Sequence, residues 1–483
     1  MKAEILSQLS LIKPRVIIVA DEECLRPFET DAFISHRVLP LLAVLPDSEE
    51  QVAQILRICR EHGALVVTRG AGTGISGGAI PHQDGILLVM TKFNRICDID
   101  AGLRQVTVQP GVRNLAVSEA AAPHGLFYAP DPSSQVICSI GGNVAENSGG
   151  VHCLKYGLTT HNIVHVRVAT SDGEMLEIGS RALDAPGYDL LALIAGSEGM
   201  LGVVTEVTAK LVPIPQHVET LLAAFASVKD AATAVGDIIG AGIIPAALEM
   251  MDKLVIDACE RFMAAGFPTD AAALLLCELD GAREEVAGEV ERVNAIMQAC
   301  GAREVRSAQS ETERENLWRA RKGAFAALAT IQPDFYVMDG TIPRRCLAEV
   351  LERYDELGRQ YNMMVANVFH AGDGNLHPVI FYDANVPGEM ARSEELGGKM
   401  LEICIEVGGT ITGEHGVGIE KLNQMCLQFR KPELEAFHAI KQAFDPAGIL
   451  NPDKGIPTLK RCAELGGMHV HEGKMPFQEI PRF

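Results

Sequence analysis

Across residues 49–62 the apolar side chains fall at Val52, Ile55, Leu56 and Cys59, one stripe every three to four positions that predicts a helix with a single buried face. Ser48 ahead of the stripe and Gln51 three positions on fit a capping box, and Gly63 supplies the stop. Short apolar runs follow at ALVVTR (64–69), GILLVM (85–90) and QVTVQPG (105–111), bounded by turn residues, which predicts strands. The glycine cluster GAGTGISGG (70–78) joins the first two. The segment therefore reads strand, loop, strand, strand, with the helix packed on the sheet.

From Tyr128 to Gly150 the chain is turn chemistry, YAPDPSSQVICSIGGNVAENSGG, too long for an ordinary connection and too rich in Gly, Asn and Ser for core. Ordered loops of that length commonly hold a ligand. Strands around NIVHVRVAT and GEMLEI lead to GSEGMLGVVTEVTAKLVPIP, where Pro213 and Pro215 mark a boundary near residue 217. Beyond it VETLLAAFAS, KDAATAVGDIIGAG, PAALEMMD, AAALLLCELDG and EEVAGEVERVNAIMQACG alternate strand and helix, the pattern of an α+β domain of split βαβ units. A last helix around ELEAFHAIKQAF stops at Asp445-Pro446, and ILNPDKGIPTLKR after it is extended. The expected domains are 1–217, with a core of 38–217, then 218–445, then 446–483.

The 483 residues are 47% apolar and 22% charged, which excludes wholesale disorder. Lys and Arg number 42 against 63 Asp and Glu, a net charge of −21 that repels phosphate backbones and anionic lipid, so nucleic acid is not an expected partner. A small anionic substrate would need positive charge placed locally. The 12 cysteines include no C-x-x-C pair and read as scattered cytosolic thiols, with no iron-sulfur cluster on this chain. Lys13, Pro14 and Arg15 interrupt the apolar N-terminus, and no run of about 20 apolar residues occurs. The expected location is cytoplasmic, with any contact to the inner membrane made through partners.

Two stretches carry chemistry. GTGISG (72–77) satisfies G-x-G-x-x-G after a strand, but Pro81 and another strand follow where a dinucleotide-binding helix would begin, so a nicotinamide site fails on context. A plain inter-strand turn or an anion nest that turns backbone N–H groups toward a pyrophosphate, with Arg69 as counter-charge, both fit the glycines. In VANVFHAGDGNLHPVIFY a hairpin would bring His370 and His377 together, and GGTITGEHGVG supplies Glu414 and His415 on a loop. Two imidazoles and a carboxylate suit a catalytic metal with open positions. Arg319 and Arg321, two apart on a predicted helix, lie on different faces, so at most one can serve a site.

Taken in order, RGAGTGISGG, QPG, PDPSS, IGGNVAENSGG, KYG and GSEGMLG resemble the FAD-binding domain of the vanillyl-alcohol oxidase and p-cresol methylhydroxylase superfamily, over about residues 38 to 217. H-x-G-x-G-N-x-H followed by G-E-H-G resembles the C-terminal domain of the FAD-linked D-2-hydroxy acid dehydrogenases, whose substrates include D-lactate, D-2-hydroxyglutarate and glycolate. The resemblance implies an α+β architecture: a p-cresol methylhydroxylase-type FAD domain, a ferredoxin-like substrate domain, and a C-terminal segment returning to the first. It implies non-covalent FAD, since Thr73 stands where some members carry a tethering histidine. The implied FAD contacts are Arg69, Gly70, Ala71, Gly72, Thr73, Gly74, Gly77, Gly78, Pro130, Asp131, Ser133, Gly141, Gly142, Asn143, Glu198 and Asn451. By the same likeness His370, His377 and Glu414 ligate zinc or manganese, His415 is the base, and Arg321 holds the substrate carboxylate.

Phe325 and Val337 stand where the 2-hydroxyglutarate enzymes carry Thr and Lys, which favours a small 2-hydroxy monocarboxylate. RKGAFAAL, PDFYVMDGTIPRR, CAELGGMHVH and the final PRF extend the similarity over nearly the whole chain, most closely to the glycolate-oxidising branch. That branch implies two partners, a second FAD-domain subunit and an iron-sulfur subunit. The rival readings are a D-lactate dehydrogenase that works alone and a non-catalytic flavin-binding subunit.

Overall fold

The computed structural model describes residues 2–182, 186–458 and 462. AELGGMHVH and PRF of the C-terminal motif lie outside the described residues. The chain divides into two compact units, one of residues 1–149, 157–214 and 414–483, the other of 150–156 and 215–413.

In the first unit, Leu42–Leu45, Gly85–Val89 and Leu65–Arg69 pair in parallel, and Ile17–Val19 adds antiparallel to the outer edge. The helix Glu49–His62 lies where the stripe placed it, with Ser48 Oγ accepting from Gln51 N at 3.3 Å and Gly63 closing it at φ +62°. Its apolar face packs with Val66, Ile86 and Leu88 in one core. A second, antiparallel sheet runs Ile96–Asp100, Gln105–Val108, Val203–Lys210, Ile163–Ala169, Met175–Gly179. Its first strand was not expected, because ICDID mixes acidic and apolar positions.

Residues 128–150 are not all loop: Ile140–Glu146 is a helix capped by Ser139, whose Oγ accepts from Gly142 N at 3.3 Å. The return to this unit begins at Glu414, earlier than residue 446. The helix Lys431–Phe444 therefore belongs here, with Lys441 Nζ donating to Met200 O at 2.8 Å and Leu450 O at 2.7 Å. Ile449–Asn451 then runs beside the strand edge, Val66 N donating to Ile449 O and Asn451 N to Val66 O. Cys426 and Cys462 form a disulfide, which corrects the reading of scattered thiols. Their 36-residue separation, spanned by the helix 431–444, gives no short-spacing signal.

The second unit is built on one sheet in the order Ala302–Ser307, His217–Phe225, Ala273–Gly281, Ala247–Asp252, Val365–His370, Asn375–Leu376, Gly340–Thr341, with Phe335–Val337 and Pro378–Phe381 pairing beside it. The segment 150–156 docks on it through Lys155 and Tyr156, both bonded to Asp280. Among the described residues no helix is long and apolar enough to cross a membrane.

Candidate active site

In the first unit, residues 70–78 leave the strand Leu65–Arg69 as a loop closed on one side and open on the other. A Cβ at Gly70 would stand 2.2 Å from Ser139 Oγ, at Gly72 2.2 Å from the Arg69 guanidinium, and at Gly77 2.6 Å from Ile419, whereas at Gly74 it would meet nothing within 4 Å. Gly72 and Gly77 also sit at φ +72° and +81°, where only glycine is unstrained. The backbone N–H groups of 71–78 have no acceptor among the described residues, so the open face is a row of donors suited to a diphosphate. This donor set fits the FAD implied by the sequence.

The back of the loop is fastened by groups the sequence reading did not single out. Asp31 accepts from Phe33 N at 2.8 Å and Ala79 N at 3.1 Å, and Lys454 Nζ donates to Gly78 O at 2.9 Å and to Ile80 O. Burial pulls Lys454 down to about 8. Asn451 Nδ2 donates to Gly78 O at 3.2 Å and Glu198 O at 2.6 Å, so this residue also acts on the loop from behind. Arg69 is buried, its Nη1 donating to Thr30 O at 2.7 Å.

The remaining expected contacts separate by what their side chains already do. Asn143 is buried, its Oδ1 accepting from Asn114 Nδ2 at 3.0 Å; that same Asn114 amide reaches Pro130 O at 3.0 Å. Gly141 packs on Pro110, where a Cβ would fall at 2.4 Å, and Gly142 serves the helix cap. Asp131 is buried and Ser133 exposed.

The G-E-H-G loop is sewn to the same cradle. Glu198 Oε1 and Oε2 accept from Val417 N and Gly418 N, both at 2.7 Å, and Ser76 O accepts from Ile419 N at 3.0 Å and Glu420 N at 3.3 Å. A Cβ at Gly418 would lie 2.0 Å from Ser76 O, which forces glycine there. Glu414 Oε2 accepts from Gly149 N at 3.1 Å, and His415 Nε2 stands 4.0 Å from Glu414 Oε1. Both residues thus belong to the unit of the glycine loop rather than to the 218–445 domain expected for them. Nearby, burial reinforced by the Glu198 charge holds the Glu146 carboxyl well above the usual carboxylate range.

In the second unit the predicted hairpin forms, and His370 and His377, each 4% exposed, meet edge to face with ring centroids 5.0 Å apart. Behind His370 stands Glu249, 0% exposed, whose Oε1 lies 2.8 Å from His370 Nδ1 and whose Oε2 accepts from Arg321 Nη2. Asp339 Oδ1 lies 3.4 Å from His377 Nε2. Two buried imidazoles, each beside a carboxylate, form a donor set that fits zinc or manganese. Arg321 is 1% exposed, while Arg319 reaches Asn316 on the exposed side, as their spacing requires. Phe325 stacks on Phe335 at 6.3 Å, and Val337 is buried.

A family model described as FAD linked oxidases, C-terminal domain, matches residues 214–455, and one described as FAD binding domain matches 40–179. The chain is 61% identical over 467 residues to "Glycolate oxidase subunit GlcD" of Escherichia coli strain K12, covering 97% of this chain and 93% of that one. It is 31% identical over 463 residues to "D-lactate dehydrogenase" of Anaerostipes hadrus, covering 93% and 97%. Its fold superposes on a crystal structure of p-cresol methylhydroxylase with a TM-score of 0.79 at 17% identity, covering 95% and 97%.

Proposed function

The chain belongs to the FAD-linked oxidases, and from that premise we propose that it oxidises glycolate, and more slowly D-lactate, to the 2-oxo acid as the catalytic subunit of a larger assembly. The observation that carries this reading is the anchoring of the His415 loop to the glycine cradle: Ser76 O and the Glu198 carboxylate together hold four consecutive backbone N–H groups, 417 to 420. A base fixed to the cofactor loop within one unit is what a proton-coupled two-electron oxidation needs.

Arg321 receives the substrate carboxylate through its guanidinium fork, and a ring nitrogen of His415 takes the hydroxyl proton. His370 and His377 would hold a divalent metal, with Glu414 as the third ligand. When bound, FAD supplies the acceptor for the hydrogen and electron pair of the Cα–H bond, and the metal supplies positive charge to the substrate oxygens. Phe325 and Val337 offer nothing to a second carboxylate, which supports a small monocarboxylate. The E. coli relative is named as a subunit, which supports an assembly. Its expected members are a second FAD-domain subunit and an iron-sulfur subunit, and any membrane contact would run through them.

The test is anaerobic mixing of FAD- and metal-replete protein with glycolate, D-lactate and D-2-hydroxyglutarate. Rapid bleaching of the visible flavin band by glycolate, slower by D-lactate and negligible with D-2-hydroxyglutarate is expected. No bleaching with any of them leaves a flavin-binding subunit without catalysis. A D-lactate rate above that of glycolate in the isolated chain favours the stand-alone D-lactate dehydrogenase, a reading supported by the 31% identical relative.

A further inference from the structure

Glu249 has no motif around it; PAALEMMD reads only as a buried strand. Strand register gives it a role. Ala247–Asp252 pairs antiparallel with Val365–His370 so that Glu249 lies directly opposite His370, Met250 opposite Phe369 and Met251 opposite Val368. A slip of one residue would turn Glu249 to the other face of the sheet. The register is pinned by Asp252, whose Oδ2 accepts from Asn367 N at 2.5 Å and Asn367 Nδ2 at 3.2 Å, while its Oδ1 accepts from Val255 N at 3.1 Å and caps the helix Lys253–Met263.

Each oxygen of Glu249 is committed to a different functional side chain, Oε1 to His370 and Oε2 to Arg321. Oε2 pairs with the guanidinium of Arg321, a permanent cation, and both side chains are buried, so Glu249 stands in this pair as the carboxylate. An ionised carboxylate can only accept, so Nδ1 of His370 carries the proton and Nε2 presents its lone pair.

We propose that Glu249 is a positioning residue that presents Nε2 of His370 to the metal and aims the fork of Arg321, joining the metal arm and the carboxylate arm of the site through one side chain. This rests on the metal and substrate roles given above. A carboxylate behind a ligating histidine fixes the ring and raises its basicity, and its loss typically costs about 10- to 100-fold in metal affinity or activity. Here the same loss also leaves Arg321 buried without its counter-charge, so the two effects appear together.

The experiment uses the full FAD-loaded chain with wild type, E249Q and E249D, reading zinc affinity by chelator competition and the glycolate dependence of flavin reduction. E249Q should bind zinc roughly 10- to 100-fold more weakly at unchanged FAD content and show a raised KM for glycolate. E249D, which keeps the charge but shortens its reach, should fall between. Because E249Q strands a buried guanidinium, a change that can unfold the chain, zinc affinity is also compared between R321M and E249Q/R321M, where the double variant should bind more weakly. Equal zinc affinity in wild type and E249Q, or in R321M and the double variant, overturns the proposal. A wild-type chain that takes up no zinc or manganese instead overturns the metal reading on which it rests.

Discussion

Gly74 is the position at which the cofactor cradle can be tested apart from the fold. A Cβ there meets no protein atom within 4 Å, and it projects from the loop whose N–H groups have no acceptor among the described residues. Gly74→Ala should leave the stability of the flavin-free protein within about 0.5 kcal/mol of wild type, the range of a substitution that touches nothing. The added methyl would stand where the diphosphate approaches the backbone. Overpacking of about 1–3 kcal/mol there corresponds to FAD binding weakened roughly 5- to 150-fold.

Two companions isolate the other terms. Gly63→Ala adds a Cβ in open space at φ +62° at the end of the helix Glu49–His62, so it should lose only the left-handed backbone cost of about 1–2 kcal/mol and keep its FAD affinity. Gly77→Ala combines φ +81° with a contact of 2.6 Å to Ile419 and should lose roughly 2–5 kcal/mol of stability. The assay is denaturant unfolding of the flavin-free chains together with FAD titration followed by flavin fluorescence. If Gly74→Ala binds FAD as tightly as wild type, the open face of the loop is not where the cofactor lies, however the other two behave.

His415→Ala should slow anaerobic flavin reduction by roughly 10²- to 10⁴-fold while FAD content stays unchanged, and near-normal reduction would move the base elsewhere. Arg321→Lys keeps the charge but loses the fork, and losing one charge-assisted bond of about 1.5–3 kcal/mol should raise KM for glycolate roughly 10- to 150-fold; an unchanged KM would detach the substrate carboxylate from this residue. Lys454, drawn down by burial from 10.5 to about 8, binds fewer protons folded than unfolded between those values, so its folded state gains stability as pH rises through that window. Wild type should therefore gain up to about 3 kcal/mol relative to Lys454→Met between pH 8 and 10.5, and parallel stability curves for the two proteins would contradict the buried ammonium.

What was legible in the sequence was local. The stripe at Val52, Ile55, Leu56 and Cys59 with Ser48 and Gly63 at its ends gave the helix almost to the residue, and AGDGN between two apolar runs gave the hairpin that joins His370 to His377. The helix Ile140–Glu146 was hidden because Gly141 and Gly142 look like turn residues; they are glycines because Pro110 packs against Gly141 and the Ser139 cap seats Gly142. Glu249 gave no sign, since its meaning comes from a strand register 121 residues away. The assignment of Glu414 and His415 to the second domain failed for a related reason: only the bonds of Ser76 and Glu198 to residues 417–420 reveal which unit holds that loop, and no local pattern encodes them.

The first unit is assembled from three stretches of chain, with the whole of 215–413 intervening before Asn451 and Lys454 arrive behind the glycine loop. During synthesis the loop therefore emerges from the ribosome some 370 residues ahead of the side chains that brace it, although N-terminal domains ordinarily fold first. Flavin capture is accordingly a late event in biogenesis, and ribosome-stalled chains ending before residue 449 should carry no flavin. Until then the loop has Asp31 behind it but neither Asn451 nor Lys454, so the timing of cofactor loading is written into the order of the segments.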